Sequence, residues 1–497
     1  MREELPALIQ GGEIAGPAEG SGAITPEMAG RLGYAFALWL AERGGTTSDR
    51  LTLSVGRDAR PTGEALMQAF IRGLTAADCD VLDAGLATTA AVYLPVVLGE
   101  PRADGAVMVT AGALPEGLNG VKLMMRDGGL RADEQRQVLE RAAKVNVPQR
   151  LVRSYDALTP YRERIGDMVR RRLDDDVQCP LVGLFLVVFD SGAGALLADI
   201  LTELGADVVR THAPSGAFRL DDPEGMRALS EAVMKNEADL GVALDADGTR
   251  AGIVDRDGRP LSGNRLIALM AAILLEEHPG ATFVTDSVTS SGVARFITEW
   301  GGVHYRFKRG HRNVIAEAMR LNDEDIDCPI AIETSGHAAL RENFFLDDGL
   351  YLAAVVLTKA LTQKRDGETI ASLIAELAEP VESQEIRMRI LAKDYRAAAQ
   401  SAIETVLSHT LEDTEWRLAS DNREGVRINF DLDGDMDNAW LLLRLSVNDK
   451  VMPLNVESDV PGGAARILTE LYELLKESDE LDLEPLRMAI RPAAPGL

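Results

Sequence analysis

The side chains most able to do chemistry in this 497-residue chain lie in a few short polar segments. Asp245-Ala246-Asp247-Gly248-Thr249-Arg250 sets two carboxylates close together on a turn. Such a pair can contribute oxygens to a hard divalent cation, and it serves equally well as a plain acidic β-turn. Arg444-Leu445-Ser446, with Lys450 shortly after, sets a guanidinium fork, a hydroxyl and an ammonium close together, donors that suit an anion. Two other acidic segments read as turns. Asp255-Arg256-Asp257-Gly258 has hairpin-turn composition. Asp433-Gly434-Asp435-Met436-Asp437 imitates the start of a calcium loop, but its last ligand position falls on Arg444, a cation where a bidentate Glu is needed, so it reads as a strand-connecting turn.

These segments need a scaffold, and the apolar periodicity supplies one. Strand-like runs at 51–55, 80–82 and 105–109 alternate with an amphipathic stretch at 63–76, the rhythm of βαβ units and a mainly parallel sheet. The rhythm returns at 181–189, 194–205, 206–209, 224–235 and 240–244, and again at 265–276, 282–285, 292–299, 303–307 and 313–321. After Pro380 it changes to strands at 384–390, 425–430, 440–446 and 452–457 with helices at 395–407 and 464–475. The expected fold is α/β: three serial α/β domains of mixed sheets flanked by helices (1–155, 156–260, 261–375), then a smaller C-terminal α+β domain (376–497).

Composition narrows the function classes. Apolar residues at 46% and charged residues at 26% suit a chain with several buried cores and exclude global disorder. With 52 Lys+Arg against 79 Asp+Glu the net charge of −27 repels nucleic acid and anionic lipid. The basic run Arg170 to Arg172, with Asp174 close behind, reads as a solvated helix end. Three scattered cysteines, Cys79, Cys179 and Cys328, fit neither a disulfide framework nor structural zinc. The first ten residues do not resemble a signal peptide and no apolar run is long enough for a membrane span, so the expected location is cytoplasmic.

Val55-Gly56-Arg57-Asp58-Ala59-Arg60, Asn119-Gly120-Val121-Lys122, Asp190-Ser191-Gly192-Ala193-Gly194, Asp245 to Arg250, Lys308-Arg309-Gly310-His311, Glu333-Thr334-Ser335-Gly336-His337 and Arg444-Leu445-Ser446 follow one another in an order and spacing that resembles the α-D-phosphohexomutase superfamily of phosphoglucomutases, phosphomannomutases and phosphoglucosamine mutases. The resemblance implies four domains around a central cleft, and transfer of phosphate between C1 and C6 of a hexose through a phosphoserine, with Mg²⁺ bridging that residue and three aspartates. By the same resemblance Lys122 and His311 match the general acid and base and Arg250 a cleft arginine. Glu333 and Ser335 match sugar-binding residues, Arg444, Ser446, Asn448 and Lys450 the phosphate loop, and Asp245 and Asp247 the metal ligands. His337 reads equally as a loop-packing histidine. The segment Met452-Pro453-Leu454-Asn455-Val456-Glu457 is similar to a strand of plant and cyanobacterial members. A homodimer is implied for the family.

The departures point the other way. The nucleophile loop, Thr-Ala-Ser-His-Asn-Pro in the family, is here Thr110-Ala111-Gly112-Ala113-Leu114-Pro115, and Gly112 has no oxygen to phosphorylate. Thr110, two residues earlier, is displaced about 6–7 Å along an extended segment, whereas phosphoryl transfer needs atoms about 3–3.5 Å apart. Thr249 replaces the third aspartate, Ala15 stands where an Ile-Arg-Gly pattern has arginine, and Val447 replaces a glycine of the phosphate loop. The expectation is a phosphohexose-binding pseudoenzyme without the phosphoserine cycle and with a weakened or absent Mg²⁺ site, possessing a phosphosugar ligand and room for a protein partner. The alternatives are an active intramolecular phosphotransferase with another phosphoacceptor, and a phosphatase with a water nucleophile in the space left by Gly112.

Overall fold

A computed structural model describes residues 8–10, 12–20, 22–44, 50–115, 117–145, 147, 153–174, 177–190, 192–214, 218–220, 222–411, 413–446 and 449–490. The chain forms two compact units, 1–263 with 335–372, and 264–334 with 373–497.

The first unit holds two sheets built on buried apolar strands. One runs in the order Ile9–Gln10, Glu13–Pro17, Leu118–Met125, Gly105–Val109, Thr52–Arg57, Asp80–Leu86, Arg153–Ser154, with Gly128–Gly129 beside Leu118–Met125. The pairs around Thr52–Arg57 are parallel, as the βαβ rhythm expects, whereas Leu118–Met125 pairs antiparallel with both neighbours, so the sheet is mixed. Helices Pro26–Gly44, Gly63–Ala76 and Ala132–Ala142 share a core with its apolar strand residues. The first two approach so closely that a Cβ on Gly73 would lie 2.0 Å from the Gly30 carbonyl oxygen, which only glycine permits. The other sheet runs Asp207–Thr211, Phe185–Phe189, Leu240–Leu244, Ala251–Asp255, parallel except for the last pair. Helix Gly349–Arg365 and the antiparallel pair Ala338–Leu340 and Leu346–Asp347 complete this unit.

In the second unit Val303–Arg306, Thr282–Thr285 and Ile330–Ile332 pair in parallel, accompanied by helices Asn264–Glu277, Ser291–Glu299 and His311–Asp323. An antiparallel sheet follows in the order Glu382–Arg389, Val451–Ser458, Ala439–Leu443, Val426–Phe430, Arg417–Leu418, with helices Tyr395–His409 and Gly463–Leu475 against its core. The protein is therefore mixed α/β with several sheets, as the sequence indicates.

Both acidic decoys are turns: Gly258 N–H donates to the Asp255 carbonyl at 3.0 Å, and residues 432–437 connect strands Val426–Phe430 and Ala439–Leu443. The basic run needs a correction at one residue: Arg171 and Arg172 both reach Glu342, and Arg171 stays 63% exposed as a solvated helix end expects, whereas the Arg172 side chain is only 7% exposed and is held against the chain. No helix among the described residues is long and apolar enough to cross a membrane.

Candidate functional site

In the first unit, strand alternation aims the chemistry. Val121 and Leu123 point into the helix-packed core, so Lys122 between them projects from the opposite face of Leu118–Met125. The neighbouring strand pairs Ile14 with Val121 and Ala15 with Gly120, and the next step of that register sets Glu13 across from Lys122. An opposite-charge cross-strand pair of this kind is favourable.

The degenerate loop 110–115 lies at the end of strand Gly105–Val109. Its fold is fixed by Arg60, whose guanidinium donates to the carbonyls of Gly112 (2.9 Å), Leu114 (2.6 Å), Pro115 (2.9 Å) and Leu118 (3.2 Å). The Thr110 hydroxyl is buried, donates to Asp58 Oδ2 at 2.7 Å and accepts from Gly112 N–H at 2.8 Å. The Thr110 hydroxyl thus closes the loop onto Asp58 and Gly112. Gly112 adopts φ +52°, and a Cβ there would meet Glu13 Oε2 at 3.5 Å, Glu13 Oε1 at 3.6 Å and Asp247 Oδ2 at 3.9 Å. A carboxylate therefore lies beside the space that the missing side chain leaves.

The turn between Leu240–Leu244 and Ala251–Asp255 supplies the other half of the cluster. Gly248 N–H closes it onto the Asp245 carbonyl at 3.1 Å. Asp245 accepts from the Arg250 backbone N–H (3.0 Å) on Oδ1 and from Arg250 Nε (2.9 Å) on Oδ2. Asp247 Oδ1 accepts from the Thr249 hydroxyl at 2.9 Å, and Oδ2 from Lys122 Nζ at 2.5 Å and the Thr89 hydroxyl at 3.3 Å. His337 bridges backbone to backbone with Arg250, and its Nδ1 lies 2.8 Å from Asp347 Oδ2.

Burial and charge set the protonation states. Burial acts against the Lys122 ammonium, but the Asp247 and Glu13 carboxylates outweigh it and hold the amine above its ordinary range. Burial likewise opposes ionisation of Asp247, and Lys122 overrides it and keeps that carboxylate charged. Burial, and then the neighbouring Asp247 charge, push Asp245 upward. Burial raises Glu13 to about 7 against the pull of Lys122, and its Oε2 is buried without a hydrogen-bond partner. Burial, with Arg250 and Lys122 nearby, lowers His337 to about 3, so its imidazole is neutral at pH 7.

The fit of this turn to a divalent cation can be read from its donors. All four carboxylate oxygens of Asp245 and Asp247 already accept from Lys122, Arg250 or Thr249. A metal would have to share these oxygens with the Arg250 and Lys122 cations and enter beside an ammonium, and Thr249 brings no third charge. The arrangement present does not fit a bound Mg²⁺.

In the second unit, His311 is the first residue of helix His311–Asp323. The preceding Gly310 N–H donates to the buried Glu333 Oε1 at 2.5 Å, so these two segments meet. Arg309 N–H donates to Glu424 at 3.1 Å, as does the Ser287 hydroxyl at 2.5 Å. Arg444 is buried, and its Nε has no hydrogen-bond partner. Burial lowers its pKa, while Glu424 favours its charge and Arg309 opposes it. Ser446 accepts from Asp449 N–H at 3.2 Å through its hydroxyl, and Lys450 Nζ lies 5.5 Å from the Tyr395 ring centroid. Asn448, expected in the phosphate loop, lies outside the described residues, as do Ser191 and Val447.

The first unit thus brings together Gly112, Lys122, Asp245, Asp247 and Arg250, with the segment from Ser335 to His337 joined to the turn through the bridge at Arg250. The second holds His311, Glu333, Arg444, Ser446 and Lys450. Sequence reasoning missed Glu13 and the loop-fixing part of Arg60. Glu13 was detectable in principle, because it lies two residues before Ala15 and so on the same strand face.

Comparison with known proteins accords with this architecture. Family models for phosphoglucomutase/phosphomannomutase α/β/α domains I and III match residues 13–149 and 262–381. A phosphoglucomutase/phosphomannomutase of Thermococcus kodakarensis is 30% identical, with 92% of this chain and 96% of that protein covered. A solved phosphoglucomutase/phosphomannomutase family protein of Burkholderia thailandensis shares the fold at a TM-score of 0.77 and 24% identity, covering 95% of this chain and 97% of the other. An N-acetylphosphoglucosamine mutase of Aspergillus fumigatus, solved with GlcNAc-6P and magnesium, matches at a TM-score of 0.53 and 14% identity, covering 88% and 79%. The chain belongs to the phosphoglucomutase/phosphomannomutase family of the α-D-phosphohexomutase superfamily.

Proposed function

We propose that this family member binds a phosphorylated hexose and does not run the phosphoserine-dependent mutase cycle. The observation that carries the reading is loop 110–115: Gly112 has no hydroxyl, and the Thr110 hydroxyl is committed to Asp58 and to the Gly112 N–H. Removing a nucleophile costs an enzyme of this type most of its rate, whatever binding survives. Ala15 is consistent with that loss, since no phosphoserine remains for an arginine to support.

On this reading Glu333 and Ser335 accept and bridge sugar hydroxyls, and Arg444, Ser446, Asn448 and Lys450 receive the phosphate. Arg250 serves as the cleft arginine and His311 as the candidate base that the resemblance assigns them. Lys122, held cationic by Asp247 and Glu13, donates hydrogen bonds and is a poor base. The magnesium that accompanies the A. fumigatus mutase is held weakly or not at all here, because the turn's carboxylates already have cationic partners. A cytoplasmic sensor or scaffold, divided at about residues 155, 260 and 375 into four domains, working alone, as a homodimer or with a protein partner, completes the reading.

Calorimetric titration with the 1- and 6-phosphates of glucose, mannose and glucosamine tests it. Saturable binding of at least one, at one site per chain, is expected; no heat with any of them contradicts the phosphosugar role. One observation favours a second reading, an active mutase with another acceptor. Glu13 Oε2 is unpartnered and lies beside the vacant position at 112. Were Glu13 the acceptor, its carboxylate oxygen would bond phosphorus as the sugar oxygen leaves, and incubation with a hexose 1,6-bisphosphate would add an acid-stable, hydroxylamine-labile phosphoryl group visible by intact mass.

A further inference from the structure

The carboxylate turn of the first unit contains its own cations. Asp247 is fully buried and Asp245 nearly so, and a buried carboxylate persists as an anion only if it is paired and hydrogen-bonded. Each has a partner from this chain. Arg250 grips Asp245 through both its backbone N–H and Nε, and Lys122 Nζ lies 2.5 Å from Asp247 Oδ2. The Lys122 side chain is 15% exposed, enclosed by the turn on one side and Glu13 on the other.

Three further features agree. Thr249 spends its hydroxyl on Asp247 Oδ1 at 2.9 Å, where a third carboxylate would have added a charge needing another cation. Thr89 fills a further acceptor direction on Asp247 Oδ2 at 3.3 Å. Glu13 comes to Lys122 from the adjacent strand, so the ammonium is met by carboxylates from two separate elements.

We propose that Lys122 serves as the resident cation of this turn, so that the Asp245–Arg250 segment is neutralised and held in shape without a divalent metal. The idea does not depend on whether a phosphosugar binds. It reassigns Lys122 from a proton-transfer group to the positioning residue of the acidic turn, with Arg250 completing the charge balance at Asp245.

The test uses Mn²⁺, an oxygen-seeking divalent probe with an EPR signal that diminishes on binding. Titrated into the full-length protein, Mn²⁺ should remain free with the wild type and with Lys122→Arg, which keeps the cation. Lys122→Met removes the ammonium and leaves the carboxylates, so it should take up one Mn²⁺ per chain at least tenfold more tightly than the wild type. Circular dichroism confirms that the variants are folded. One Mn²⁺ bound by the wild type as tightly as by Lys122→Met overturns the proposal, and so does a folded Lys122→Met that binds none. Should Lys122→Met fail to fold, the wild-type titration still decides: a stoichiometric Mn²⁺ site there contradicts a resident lysine, and its absence, with unchanged thermal unfolding in EDTA and in Mg²⁺, supports one.

Discussion

Restoring the missing hydroxyl with Gly112→Ser should restore a phosphoserine only in part at pH 8. Space is not the obstacle, since the new Cβ would meet its nearest atoms, the Glu13 carboxylate oxygens, at 3.5 and 3.6 Å, ordinary contact distances. The backbone resists moderately. Gly112 sits at φ +52°, and a left-handed conformation costs an L-residue about 1–2 kcal/mol. Losing a glycine from the unfolded chain returns about 0.4–1 kcal/mol, so the net destabilisation is about 1 kcal/mol. A second barrier is electrostatic. Phosphorylation adds a charge of about −2 that disfavours an ionised Glu13 beside it, and because burial raises Glu13 to about 7 the repulsion is relieved by protonating it, at a cost of about 1.4 kcal/mol at pH 8. Lys122 is shared between Glu13 and Asp247 and offsets only part of this. Intact-mass measurement after incubation with hexose 1,6-bisphosphate at pH 8 should find a phosphorylated-to-free ratio about tenfold lower for Gly112→Ser than for Gly112→Ser/Glu13→Gln. Full phosphorylation of the single variant would refute the electrostatic argument, and a loss of stability above about 3 kcal/mol would refute the steric one.

Glu13 also makes stability depend on pH. Its folded-state pKa is raised from 4.5 to about 7 by burial, so the native state holds a proton that the unfolded state has released between those values. Stability should fall as pH rises from about 5 to about 8, by at most about 3 kcal/mol from this group, and Glu13→Gln should flatten the profile in urea titrations of the first unfolding transition; parallel profiles would contradict the shift. Arg60→Ala removes charge-assisted bonds to four carbonyls of one loop. A local loss of about 3 kcal/mol corresponds to about 100-fold faster hydrogen exchange in residues 110–118, and unchanged exchange would show that the loop is held by other means. Arg444→Ala should weaken phosphohexose binding about 10- to 100-fold in calorimetry, the worth of one charge-assisted pair, and an unchanged Kd would remove Arg444 from the phosphate site.

The fold was legible because its signals are long and repetitive: the buried runs Gly105–Val109 and Leu240–Leu244 and the change of rhythm after Pro380 each map onto real elements. Strand direction was harder to read, because the antiparallel insertion of Leu118–Met125 depends on pairing partners far along the chain. The loss of the serine at 112 was visible as a residue type. Its surroundings were not, because Glu13 and Asp247 come to Gly112 from separate strands and turns. Similarly, Lys122 looked like a proton donor in a motif of four residues, and only its 2.5 Å contact with Asp247 reveals the ion pair. Arg172, read as a solvated helix end, is covered by a residue 170 positions away.

The most direct test of the account is phosphorus NMR of the purified protein with glucose, mannose and glucosamine 1-phosphates, Mg²⁺ and catalytic hexose 1,6-bisphosphate. At least one sugar phosphate resonance should broaden or shift saturably with added protein while no 6-phosphate accumulates beyond a protein-free control. Steady appearance of a 6-phosphate, lost in Arg444→Ala, would contradict it and establish that the mutase cycle survives without the serine.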